Sequence, residues 1–293
     1  MGNIEADLPY QAKWDTHPLS ATEKNEIIRA LDQPYIYLGK GCQAYVFGSA
    51  DRKYVIKFFK YQRFRPQSWI NLFTFIPAVA DYQLTKTAEK QEKLDKVFTS
   101  WKIAFEDLKK ETGIIYVHLN KTNEWNKSLE ITDKLGMKHL VDLDQTEFAL
   151  QWRATMLCPA IDELVAQGKT DQAELLIDRL LAMLLSEYAR GFADNDHALM
   201  QNTGVLDGHP IHIDIGQFIY NASVKAPKVY KQELYDKTYD FHKWLKIHHP
   251  ALAEHLAARL VVIMGPDYFY SAPYFHKGDV AKIPHVPEPV PSN

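Results

Sequence analysis

Asp194-Asn195-Asp196-His197-Ala198-Leu199-Met200-Gln201-Asn202 is followed, twelve residues after Asn202, by Asp214-Ile215-Gly216. An Asp/Asn-rich loop by itself is usually just a turn, because these side chains hydrogen-bond their own backbone. Asp214 reads differently. In Ile211-His212-Ile213-Asp214-Ile215-Gly216 the carboxylate closes a strand between isoleucines, where an uncompensated charge is costly and a bound cation would offset it. His212 alternates with two isoleucines and reads as a partly buried structural histidine. Between the two clusters, Asp207-Gly208 suits the two-residue turn of a hairpin.

Outward from this stretch the chain is helical. Gln172–Arg190 carries Leu175, Leu176, Leu180, Met183, Leu184 and Tyr188 at helical spacing, and Gly191 closes it. Ala160–Gln167 forms a shorter helix before it, and helix predominates from the hairpin to about Met264. The aromatic run from Tyr268 to Phe275 reads as packing against this half, or as a docking surface if exposed, and the proline-bearing stretch 284–293 as a disordered or surface-draped end.

The first half has another character. Tyr35–Phe47 sets β-branched and aromatic residues around Gly39 and Gly41, as a strand, a tight turn and a second strand would. Tyr54-Val55-Ile56-Lys57-Phe58-Phe59 is a third strand with one charge, and period-two alternation puts Val55, Lys57 and Phe59 on one face. A helix with Leu94, Val97, Phe98, Trp101, Phe105 and Leu108 on one side runs from beyond Pro77 to Thr112, ending at Gly113. Strands are expected at residues 114–119, 128–132, 139–143 and 147–156, giving a small antiparallel sheet. Residues 1–34 are a lead-in with a helix near Ala21–Leu31 that Ser20 or Thr22 can cap.

Bulk properties exclude several classes. A net charge of −3 offers no basic field for a phosphate backbone, so nucleic acid is not the expected partner. The run Trp69–Ala80 is interrupted and too short to cross a bilayer, which needs about 20 apolar residues. Residues 1–9 lack the basic-then-apolar pattern of a signal peptide. Cys42 and Cys158 form no CxxC pair and read as reduced thiols, so the expected location is cytoplasmic; export without a cleaved signal stays compatible with the sequence.

The order of these features resembles the protein-kinase-like superfamily, which includes protein kinases, aminoglycoside-type phosphotransferases and lipid kinases. Over Tyr35–Phe218 the chain offers a Gly-rich turn, a strand lysine, a helix, strands, a linker, a long helix, an Asp…Asn loop, a hairpin and Asp-x-Gly. The resemblance implies an α+β, bilobal kinase-like fold: a lead-in (1–34), an antiparallel-sheet N-lobe (35–157), a helical C-lobe (158–283) and a Pro-rich tail (284–293). It implies ATP and Mg2+ as cofactors, with phosphates covered by Gly39, Gly41, Ala44 and Val46, the adenine pocket walled by Val55, and the phosphates gripped by Lys57. Glu106 is the helix glutamate expected to pair with Lys57, although it lies about 135° from the centre of the apolar face on a helical wheel of 100° per residue. Asp196 would orient the acceptor hydroxyl, with Asp194 in reserve, and Asn202 and Asp214 would hold the metal.

The sequence also departs from that pattern. Ala44 stands where a third glycine is usual, the Asp196–Asn202 gap is six residues instead of five, and the His-Arg pair before Asp196 is replaced by Asp194-Asn195. The implied function is phosphoryl transfer to an unknown protein or small-molecule hydroxyl. A nucleotide-binding pseudokinase that docks partners, and AMP transfer on the same fold, are the alternatives.

Overall fold

The computed structural model describes residues 4–65 and 77–271. The 284–293 tail, the end of the aromatic run and most of Trp69–Ala80 lie outside the described residues. By internal contacts the chain divides into two units, residues 1–153 and 154–293, so the lead-in belongs to the first.

The first unit opens with α1 (Ala21–Leu31), capped as its sequence suggests: Ser20 accepts from Glu23 N–H while the Glu23 carboxylate takes the Ser20 N–H. Then follow β1 (Tyr35–Lys40), β2 (Ala44–Ser49), β3 (Tyr54–Phe59), α2 (Pro77–Glu106), α3 (Lys109–Thr112), β4 (Ile114–His118), β5 (Ser128–Thr132), β6 (Lys138–Asp142) and β7 (Phe148–Trp152). The strands form one seven-stranded sheet in the order β4-β7-β3-β2-β1-β5-β6. It is not wholly antiparallel as expected, because β1 pairs with β5 in parallel, Tyr35 opposite Ile131 and Ile36 opposite Thr132. The expected single helix is also split: Asp107 and Leu108 both donate to the Ile103 carbonyl, which ends α2 and turns Leu108 into the core.

β3 is central, and all six of its residues are buried. Phe59 packs on Phe98 (5.1 Å) and Trp101 (5.9 Å) of α2, so the predicted apolar face of that helix covers the sheet. Each large side chain buried this way contributes about 1.5–3 kcal/mol. The lead-in also packs against α2, with Trp14 edge-on to Phe98 at 5.4 Å.

The second unit contains β8 (Thr155–Met156), α4 (Leu157–Ala166), α5 (Thr170–Arg190), β9 (Phe192–Asp194), α6 (Leu199–Asn202), β10 (Thr203–Leu206), β11 (His209–His212), β12 (Phe218–Tyr220), α7 (Pro227–His248), α8 (Pro250–Met264) and α9 (Pro266–Ser271). Leu176, Leu180 and Leu184 of α5, Leu234 and Phe241 of α7, and Leu252 and Leu256 of α8 share its core. The β10–β11 turn is Asp207 (φ 49°) and Gly208 (φ 75°), the two successive positive φ values that this dipeptide accommodates. Tyr268 donates to Gln232 Oε1 (3.0 Å), which ties the start of the aromatic run to α7. Among the described residues no helix is long and apolar enough to cross a membrane.

Candidate functional site

In the first unit, Gly39 sits opposite Val46 across the β1–β2 ladder, and Gly41 N–H donates to the Ala44 carbonyl at 3.0 Å to close the turn. Neither Gly39 nor Gly41 has a positive φ, so neither serves a left-handed conformation, and a Cβ on Gly39 would meet nothing within 4 Å. Ala44 is a buried strand residue opposite Phe59, a position that does not require glycine.

Two cations that the sequence reading passed over hold this turn. Lys60 Nζ donates to the Gly41 carbonyl (2.5 Å), Lys60 N–H to Gln43 O (2.8 Å), and Arg63 to the Cys42 carbonyl (2.5 Å). Burial, then the charges of Lys40 and Arg63, push the Lys60 ammonium below its ordinary pKa. The turn's carbonyls therefore face a cationic cluster. The signal was present in the spacing Lys57, Lys60, Arg63 just after a buried strand.

Lys57 lies directly opposite Val46 on one side and Ala149 on the other, which rules out the edge-strand position that would make it a solubility lysine. Its side chain is 8% exposed, with Nζ over the Trp101 ring at 5.3 Å. Val46, Lys57 and Val55 consequently share one face of adjoining strands. Glu106 has a different place from the one expected. Its Oε1 accepts the His17 N–H (2.8 Å) and its Oε2 meets His17 Nδ1 (2.5 Å), while the His17 ring stacks on Phe105 at 4.7 Å. The glutamate that points away from the apolar stripe anchors the lead-in.

In the second unit three chain segments are woven together by main-chain hydrogen bonds. Asp194, at the end of β9, pairs with Phe218, and Asn195 N–H donates to Gln217 O (3.2 Å). Ile213 N–H donates to the Asn202 carbonyl (2.7 Å), so Asp214 is one residue from a direct bond to Asn202. Two successive side-chain turns shape the start of the loop. Asp194 Oδ1 accepts Asp196 N–H and Asp196 Oδ1 accepts Ala198 N–H, both at 3.0 Å. The short α6 then delivers Asn202.

These bonds separate the two aspartates. Asp194 is 3% exposed, and its second oxygen takes Lys237 Nζ at 3.1 Å, so both of its oxygens are engaged. Asp196 is half-buried, and among the described residues its Oδ1 alone accepts a hydrogen bond. Asn202 is 7% exposed, and its side-chain Nδ2 is buried without a partner. Below the loop, His212 and Glu187 are each 1% exposed and bond at 2.8 Å, with His212 edge-on to Phe218. His212 is thus fully buried and paired, not partly buried as the sequence suggested. His197 bonds Glu233 of α7 at 3.0 Å.

No protein-family model and no curated protein matches this chain.

The functional reading therefore rests on the residues alone. Glu187, Glu233 and Lys237 were missed in the sequence, although each is a charge at a core position of an amphipathic helix, the one place where a charge needs a partner. Among the described residues no group of three His, Cys, Asp or Glu side chains is gathered for a metal. Magnesium does not require one, since it commonly takes one or two protein oxygens together with phosphate and water. The buried Asn202 Nδ2 is a donor, so the partner it is missing is an acceptor such as a phosphate oxygen and not a cation, and the chain position of Asp214 lies beside Asn202 in the weave.

Proposed function

We propose that this chain is an ATP- and magnesium-dependent phosphotransferase of kinase-like architecture, its two units serving as N-lobe and C-lobe. The observation that supports the proposal is the weave that bonds 194–195 to 217–218 and Asn202 to Ile213, with the Asn202 Nδ2 donor buried and without a partner among the described residues. In this reading Asp196 uses its unspent oxygen to orient and receive the proton of the acceptor hydroxyl. Asn202, through its Oδ1, and Asp214 would hold the metal, leaving the buried Asn202 Nδ2 to donate to a phosphate oxygen. Bound magnesium would neutralise charge on the phosphates. Lys57, buried on a central strand, supplies a fixed positive charge, and the turn at Gly39–Val46 offers backbone room for phosphate. Phosphoryl transfer needs little covalent chemistry from the protein, so positioned charges of this kind are what it asks for.

The test is incubation with Mg·ATP labelled on either the α or the γ phosphate, for the wild-type protein and Asp214→Ala. Label from γ should appear in product or as free phosphate with the wild type and vanish with Asp214→Ala. Retention of α label would indicate AMP transfer, and binding without turnover a nucleotide-binding docking module. A wild-type protein that binds no ATP at all would remove the proposal.

A further inference from the structure

Lys237, on α7, is 2% exposed and lies 43 residues downstream of Asp194. Its ammonium donates to Asp194 O (3.0 Å), Asp194 Oδ2 (3.1 Å) and Asp196 O (3.2 Å). A lysine ammonium has three donors, and here each has an acceptor. Only one of the three is a carboxylate. A lysine needed solely to neutralise Asp194 would not place two of its bonds on main-chain carbonyls. Those carbonyls belong to the residues on either side of Asn195, so one cation fixes the path of the backbone from which the Asp196 side chain projects.

Glu233, four residues before Lys237 on the same helix face, bonds His197 Nε2 at 3.0 Å, which pins the residue after Asp196. The helix is itself rigidly seated, since Leu234 and Phe241 are fully buried. Neutralising Asp194 also removes the repulsion that two carboxylates two residues apart would otherwise exert.

We propose that the Glu233–Lys237 pair of α7 is a two-point clamp on residues 194–197, with Lys237 as the positioning residue that aims the Asp196 carboxylate at the acceptor. The inference rests on the phosphotransfer reading above. In Lys237→Met the loop loses all three bonds, and a misplacement of order 1 Å lowers the turnover of a positioned group by about a hundredfold.

The experiment measures Mg·ATP affinity by calorimetry, release of γ phosphate, and thermal unfolding by circular dichroism. It uses the full chain as wild type, Lys237→Met and Lys237→Arg. The clamp predicts a kcat about a hundredfold lower in Lys237→Met, with ATP affinity within about threefold of wild type. Lys237→Arg should stay folded with kcat about tenfold lower, because a planar fork cannot converge on three oxygens as an ammonium does. Wild-type kcat in either folded variant overturns the clamp. Should Lys237→Met fail to fold, Lys237→Arg decides alone, since a purely structural lysine would be rescued in full by the retained charge. A wild-type protein that binds no ATP or releases no γ phosphate removes instead the phosphotransfer reading, an outcome visible before any variant is made.

Discussion

Asp144 in the sheet unit and Asp194 in the helical unit are buried to nearly the same extent, 5% and 3% exposed, and each organises a loop. Asp144 does so with neutral donors: Thr122 Oγ1 at 2.6 Å and the main-chain N–H groups of Glu124 (2.8 Å), Trp125 (3.1 Å) and Asn126 (2.7 Å). Asp194, at the end of β9, does so with a cation from α7 and one N–H. Around Asp144 the loop is folded onto the carboxylate, and the acid is consumed by structure. Around Asp194 the structural carboxylate is joined to a second one, Asp196, which keeps an oxygen unspent. A buried acid that ends in neutral donors builds a fold; one that ends in a lysine with carbonyls attached can hold a neighbour ready for a ligand.

The sharpest way to break that comparison is to exchange the roles by mutation. Asp196→Asn should lower the kcat for γ-phosphate release by about a thousandfold, the range for losing a positioned acid–base group, with the unfolding midpoint in urea unchanged. Asp144→Ala should do the reverse. Three part-buried N–H groups and the Thr122 hydroxyl lose their acceptor, so about 3 kcal/mol of stability should be lost in urea titrations, while turnover per folded molecule is retained. An Asp144→Ala protein with normal stability would show that neutral donors do not make this acid structural.

A smaller effect concerns pH. Burial raises the pKa of Asp144, but the Thr122 hydroxyl and the Trp125, Asn126 and Glu124 N–H groups outweigh it and hold the carboxyl below its ordinary value. A carboxyl lowered on folding contributes stability that is fully present above its unfolded pKa, about 3.9, and lost as pH falls through the folded value. The stability gap between wild type and Asp144→Asn should therefore be widest above about pH 5 and narrow steadily below about pH 4. A gap independent of pH in urea titrations across that window would contradict the assigned hydrogen bonds.

The strand that carries Lys57, the stops at Gly113 and Gly191, the capped α1 and the Asp207-Gly208 hairpin were all legible in the sequence. Each is dictated by side-chain period or by turn chemistry acting within a few residues. The same local logic located the Asp…Asn loop and Asp214 and marked Asp214 as a carboxylate in apolar company. Less legible were the parallel pairing of β1 with β5 and the break at Asp107–Leu108, because strand partners and core insertion are chosen by the path of the whole chain.

Partner choice is where the sequence stopped. Glu106 was expected to meet Lys57 and instead takes His17, 89 residues before it. Asp194 stood in reserve for Asp196, and it is Lys237, 43 residues away, that ties Asp194 into the fold while Asp196 keeps an oxygen without a hydrogen bond among the described residues. The residue types determined which charges this protein must accommodate. The tertiary path decided which donor answers each of them, because a buried charge accepts whichever partner the packed backbone brings within about 3 Å.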